Sequence, residues 1–149
     1  MIDITTGDVI TYREIEYEYT TIFDNEIIKI MSYNYETILA EKFEVIISRN
    51  IDNSRMKDYY DMYMFINFKW KDIDKVMLRK AIFNTANNRG TLEFINEASK
   101  YIELIEDDSR LKSLWINYQN NYEYAKNISY EDTINAIKTI YNCISSVKK

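Results

Sequence analysis

A chain of 149 residues, 46% hydrophobic and 29% charged, is the size of one domain and has the balance of a folded, water-facing protein. Its net charge of −5 gives no overall pull toward nucleic acid, and the absence of histidine excludes Ser-His hydrolysis, histidine general-base chemistry and histidine-ligated metals. The single cysteine, Cys143, excludes an internal disulfide or a cysteine zinc cluster, and two isolated glycines, Gly7 and Gly90, cannot form a GxxxxGK or GxGxxG phosphate loop.

Catalysis, if present, must therefore rest on carboxylates, lysine, arginine or tyrosine. No apolar run approaches the roughly 20 residues of a membrane helix, and the first residues lack the basic start and apolar core of a signal peptide. A cytoplasmic protein with no membrane role is expected. The absence of proline favours long helices over a turn-rich all-β fold. The 14 tyrosines read as a coding bias and receive no function at this level.

The first thirty-odd residues are rich in β-branched and aromatic side chains. Short strands are expected at Val9 to Tyr12, Ile15 to Phe23 and Ile27 to Met31, punctuated at Gly7-Asp8 and Asp24-Asn25. In Glu14 to Tyr19 acidic and apolar residues alternate with a period of two, which gives one wet and one buried face. So few strands need a second layer to be stable. From Tyr35 the period becomes helical, with segments at about Tyr35 to Ser48, Arg55 to Phe68, Asp74 to Asn87, Leu92 to Ile105, Ser109 to Tyr124 and Tyr130 to Ser146. The expected fold is mainly α: a short β segment over residues 1–34, then a bundle of about six helices over residues 35–149. Leu111, Leu114, Trp115, Tyr118, Tyr122 and Ala125 form a stripe expected to be buried. Ser129 with Asp132 marks a helix start, and Gly90 sits where a left-handed cap is wanted. Asp72-Asp74 and Asp107-Asp108 read as N-caps.

Lys42 breaks the binary pattern of its helix. A step of 100° per residue groups Tyr35, Ile38, Leu39, Val45 and Ile46 on one side, with Lys42 between Ile38 and Ile46. Thr37, Glu41, Glu44 and Ser48 lie opposite and are expected to face water. An ammonium in an apolar stripe needs an anion close by. The next helix, with Ser54 as its expected N-cap, offers Asp58 and Asp61 on one face among Met62, Phe65 and Ile66, so a pair of Lys42 with Asp58 or Asp61 is expected. Such a lysine can meet a triphosphate while a carboxylate orients an acceptor or a metal. On spacing alone, Arg55-Asp58 and Lys57-Asp61 equally fit ordinary surface ion pairs with Lys42 snorkelling outward.

The segments Glu36-Thr37-Ile38-Leu39-Ala40-Glu41-Lys42 and Arg55-Met56-Lys57-Asp58-Tyr59-Tyr60-Asp61 resemble the ETxxAEK and RxKDxxD helices of the AbiEii/AbiGii nucleotidyltransferase toxin family. The lead Ile2-Asp3-Ile4-Thr5-Thr6-Gly7-Asp8 resembles the strand and turn before those helices, and the resemblance is strongest to about Phe65. It implies a nucleotidyltransferase sheet, of which residues 1–34 would be an edge, a helical C-terminal domain, and transfer of a nucleotide from an NTP, with Mg²⁺, to an acceptor such as tRNA. It also implies a toxin of a toxin–antitoxin or abortive phage infection system, with a cognate antitoxin encoded beside it. By the same resemblance Lys42 would contact the triphosphate, Asp58 and Asp61 would supply the acidic motif, Arg55 and Lys57 would bind substrate, and Asp3 would match a metal-binding strand carboxylate. An isolated Asp at a strand end, as Asp3 is, is more often a turn former.

Members of that family also carry an upstream glycine-serine turn and a DxD strand, and neither is written here. The expectation is a C-terminal portion or truncated product that needs the missing half for Mg²⁺ and NTP and binds neither cofactor alone. Two further expectations stand beside it: a catalytically inactive helical interaction domain, and a homodimer through the exposed edge of the N-terminal strands.

Overall fold

The computed structural model describes residues 34–146 in full and the backbone of 15–20 and 27–32. Strands β1 (Ile15–Thr20) and β2 (Ile27–Ser32) pair antiparallel, with Ile15 opposite Ser32 and Thr20 opposite Ile27. The expected strand at residues 9–12, the motif-like lead at 2–8 and Asp3 within it lie outside the described residues.

From Tyr35 the protein is mainly helical: α1 (Tyr35–Arg49), α2 (Met56–Phe68), α3 (Lys75–Arg89), α4 (Leu92–Asn96), α5 (Ala98–Asp107), α6 (Ser109–Asn121) and α7 (Tyr130–Ser146). Single 3-10 turns sit at Asn50–Asp52, Trp70–Asp72 and Glu123–Ala125. The helix ends follow short-range chemistry. Asn34 accepts from the Thr37 amide at 2.8 Å, Asp74 from Met77 at 3.0 Å and Asp108 from Leu111 at 2.8 Å, each satisfying a first-turn N–H that lacks a helical partner. Ser129 and Asp132 close a reciprocal box at the start of α7, each side chain accepting from the other's amide. Gly90, at φ +73°, ends α3 and donates to the Ala86 and Asn87 carbonyls.

Three local expectations fail. Ser54 does not cap α2; the Asn53 side chain instead accepts from the Arg55 amide at 3.1 Å, and the helix begins at Met56. The segment from Leu92 to Ile105 is two helices, because the backbone leaves the helical region at Glu97, with ψ +24°. The break lets α4 pack on α1 and α3 while α5 packs on α7. The stripe of α6 is buried at Leu111 and Trp115 but open at Tyr122, because the helix stops at Asn121 and only Ala125, in the following turn, returns to the core.

The core runs through α1, α2, α3 and α7. Helix α1 packs on α3 and α4 and also on α2, and α2 packs in turn on α7. Leu39, Phe43, Ile46, Tyr59, Met62, Ile82 and Ile137 are fully buried between these helices. Two indole and amide groups close the far end, where Trp115 Nε1 and Gln119 Nε2 both donate to the Ile128 carbonyl, at 2.9 and 2.7 Å.

Candidate functional site

Helix α1 carries charge on both sides, against the expectation of one wet face. Thr37 and Glu44 are buried, because α3 and α4 cover that side. Glu44 receives Arg89 Nη1 at 2.5 Å and the Thr91 hydroxyl at 3.0 Å, and Glu36 accepts the Asp74 amide at the start of α3 at 3.0 Å. Each buried carboxylate is thus matched by a cation or by helix-end amides, as burial of charge requires. These contacts fix α1 against α3 and so fix the rotation of α1 about its axis.

That rotation aims Lys42 at α2. The two helices are joined by a short turn in which Asn50 adopts φ +37° and ψ −115°, outside the left-handed helical region that Asn favours, with its side-chain oxygen accepting from the Ile51 amide at 2.9 Å. Beyond the turn, α2 brings Asp58 in its first turn and Asp61 three residues on to the same side. Lys42 Nζ lies 2.7 Å from Asp61 Oδ2 and 3.5 Å from Asp58 Oδ1. The lysine therefore engages both carboxylates, where the sequence left open which one. Side-chain exposures of 16% for Lys42, 6% for Asp58 and 5% for Asp61 make this a largely buried triad rather than a snorkelling lysine.

Arg55 stands at the rim, half-exposed, with Nε 3.7 Å from Asp58 Oδ1. The Lys57 charge also acts on Asp61. Three cations thus surround two carboxylates, which leaves the cluster locally positive on a protein that is acidic overall. Asp61 is held above the ordinary carboxylate value of 3.8, first because burial strips its water and second despite the opposing pull of Lys42. Its second oxygen, Oδ1, is buried and has no hydrogen-bond partner, which is the local reason that its charged form is under-solvated. Burial likewise pushes the Tyr59 hydroxyl far up; the ring is fully buried, stacks on Tyr130 and leaves its OH without a partner.

The triad does not fit Mg²⁺. That ion demands near-octahedral oxygen coordination, whereas the lysine already lies between these carboxylates, and no group of three or more acidic, His or Cys side chains gathers around a common point among the described residues. What remains open to solvent beside it is the half-exposed Arg55 guanidinium. Sequence reasoning missed the second layer, Glu44 with Arg89 and Thr91. Its only sequence trace is an acidic residue on the supposed wet face of α1.

The described structure is mainly helical, with a lysine-centred charge cluster at the seam of two consecutive helices. Residues 1–137 match the family described as nucleotidyl transferase AbiEii toxin, type IV toxin–antitoxin system. The chain belongs to that family. No curated protein and no solved structure matches it. Membership makes the protein a toxin with an antitoxin as partner. No helix among the described residues is long and apolar enough to cross a membrane.

Proposed function

We propose that the Lys42, Asp58 and Asp61 triad is part of the site at which this toxin moves a nucleotide from an NTP to an RNA acceptor such as tRNA, in a system that arrests growth on phage infection. The observation that carries the reading is the buried lysine held between two carboxylates by the two motif helices. In such a transfer an acceptor hydroxyl oxygen attacks the α-phosphorus, its proton passes to Asp61, and the bond to pyrophosphate breaks with negative charge growing on the leaving group. Lys42 meets that charge, with Arg55 and Lys57 at the rim. Asp61 is the carboxylate that yields its hold on Lys42, since its burial already favours taking up a proton. Mg²⁺ would be held outside this triad; Asp3 belongs to that part of the proposal. The division into an N-terminal sheet edge and a helical domain from residue 35, and pairing of two copies through the β1–β2 edge, are proposed with it.

The test is growth arrest from the toxin's own gene. Lys42→Ala and Asp58→Ala are each expected to abolish it while the protein still accumulates, and full arrest by both variants would remove the site assignment. The tight engagement of Lys42 by its own carboxylates favours a second reading, a helical interaction domain whose triad is purely structural. Transfer of labelled nucleotide by the purified protein would exclude that alternative.

A further inference from the structure

Fourteen tyrosines are easily set down to composition, but four of them converge at one place. Helix α6 ends at Asn121, Tyr122 turns extended at ψ +109°, and the 3-10 turn Glu123–Ala125 folds back, pinned by buried Ala125 and by Gln119 on the Ile128 carbonyl. The fold-back sets the Tyr124 ring 4.7 Å from Tyr60 and 5.4 Å from Tyr122, while Tyr118 lies 4.7 Å from Tyr122 and stacks on Trp115 at 5.3 Å. The Tyr118 and Tyr124 hydroxyls share a hydrogen bond of 2.9 Å. Trp115 and Tyr60 are buried, so the inner rings support the outer ones from behind. The outer pair is open, Tyr122 to 45% and Tyr124 to 43%.

The array continues the charge cluster. Tyr60 is the neighbour of Asp61 on α2, one turn beyond Lys57, and the Asp61 charge reaches the hydroxyls of Tyr60, Tyr118 and Tyr124, adding to the burial that raises all three. Cations that can meet phosphates and rings that can meet bases are thus carried on the same helix, with Lys57 three residues before Tyr60. We propose that Tyr122 and Tyr124, backed by Tyr118 and Tyr60, form a stacking platform for the unpaired bases of a single-stranded RNA end whose phosphates pass Arg55 and Lys57. Single strands expose base faces to such rings, and duplexes hide them. Rings held from behind lose little freedom on binding, which is why aromatic side chains serve as platforms. The proposal rests on the nucleotide-transfer reading of the Lys42 triad for its biological purpose, and can be tested apart from it.

The experiment measures fluorescence anisotropy of a labelled, unstructured RNA and of the same sequence as a blunt duplex, against the full chain. The unsubstituted protein is expected to prefer the single strand. Tyr122→Ala and Tyr124→Ala should each weaken binding roughly tenfold or more, on the scale of one lost base–ring stack. Tyr124→Phe should bind nearly as the wild type, because the face and not the hydroxyl does the stacking. Both residues are exposed, so matched melting curves will show whether the fold is intact. Unchanged RNA binding by the alanine variants, or equal binding of single strand and duplex, would overturn the platform. So would a loss of antitoxin binding with RNA binding intact, since the rings would then serve a protein. If Lys42→Ala in the toxin's own gene leaves growth arrest intact while the ring variants still lose RNA, the platform stands and the reading of the triad falls.

Discussion

Lys42 is costly to bury, and the cost is met locally. Its two carboxylates lose water along with it, so removing the lysine alone strands two acids in the seam between α1 and α2. Lys42→Met is expected to lower stability by about 3–5 kcal/mol. Adding Asp58→Asn and Asp61→Leu should bring it back to within about 1 kcal/mol of the wild type, because a well-packed apolar replacement of an ion cluster is often neutral. Urea midpoints at fixed pH decide this, and a single variant as stable as the wild type would mean that the triad is not desolvated. Asp61 supplies a second check. Its folded value lies above its unfolded 3.8, so the folded state holds the proton more tightly; its contribution to stability is full below 3.8 and is lost as pH rises through the higher folded value. A carboxyl titration followed by NMR should place Asp61 above 3.8, and a midpoint below it would show that Lys42 wins over burial. Much of this was legible beforehand, because a lysine inside an apolar stripe demands an acid and only the next helix offered two in register. What was hidden was that both acids are used.

At the scale of elements, the readable features were those written within a few residues. Ser129 with Asp132, Asp74, Asp108 and Gly90 each act where their local chemistry places them. Ser129→Ala should cost about 1 kcal/mol by opening the box at the start of α7; a thermal midpoint equal to that of the wild type would contradict the capping geometry. The failures depend on distant partners. Thr37 and Glu44 read as solvent-facing on the wheel of α1, yet α3 and α4 cover that side, and Arg89 and Thr91, more than 40 residues later, come to meet Glu44. The break at Glu97 is of the same kind, since α4 and α5 follow different neighbours although one helical period runs through both. Tyr122 fails to join the core because the chain turns back, and no periodicity within α6 announces that turn.

For the whole molecule, two layers of charge do different work. The inner pair of Glu44 and Arg89 orients α1 against α3, and the outer triad faces α2 and the cations at its rim. The aromatic array of Tyr60, Tyr118, Tyr122 and Tyr124 adjoins α2, and the platform proposed there would extend the site proposed for the triad. The chain belongs to a nucleotidyl transferase toxin family, and its two consecutive helices hold Lys42 between Asp58 and Asp61. A structural triad and a functional one predict the same loss when Lys42 alone is replaced, so the decisive protein is the one that keeps the fold and lacks the charges. The most direct measurement is growth arrest from the toxin's own gene carrying Lys42→Met, Asp58→Asn and Asp61→Leu together, with the unfolding midpoint of the purified protein recorded in parallel. A stable, folded protein that no longer arrests growth is the expected result; a folded protein that arrests growth as the wild type does would show that the triad only holds the helices together.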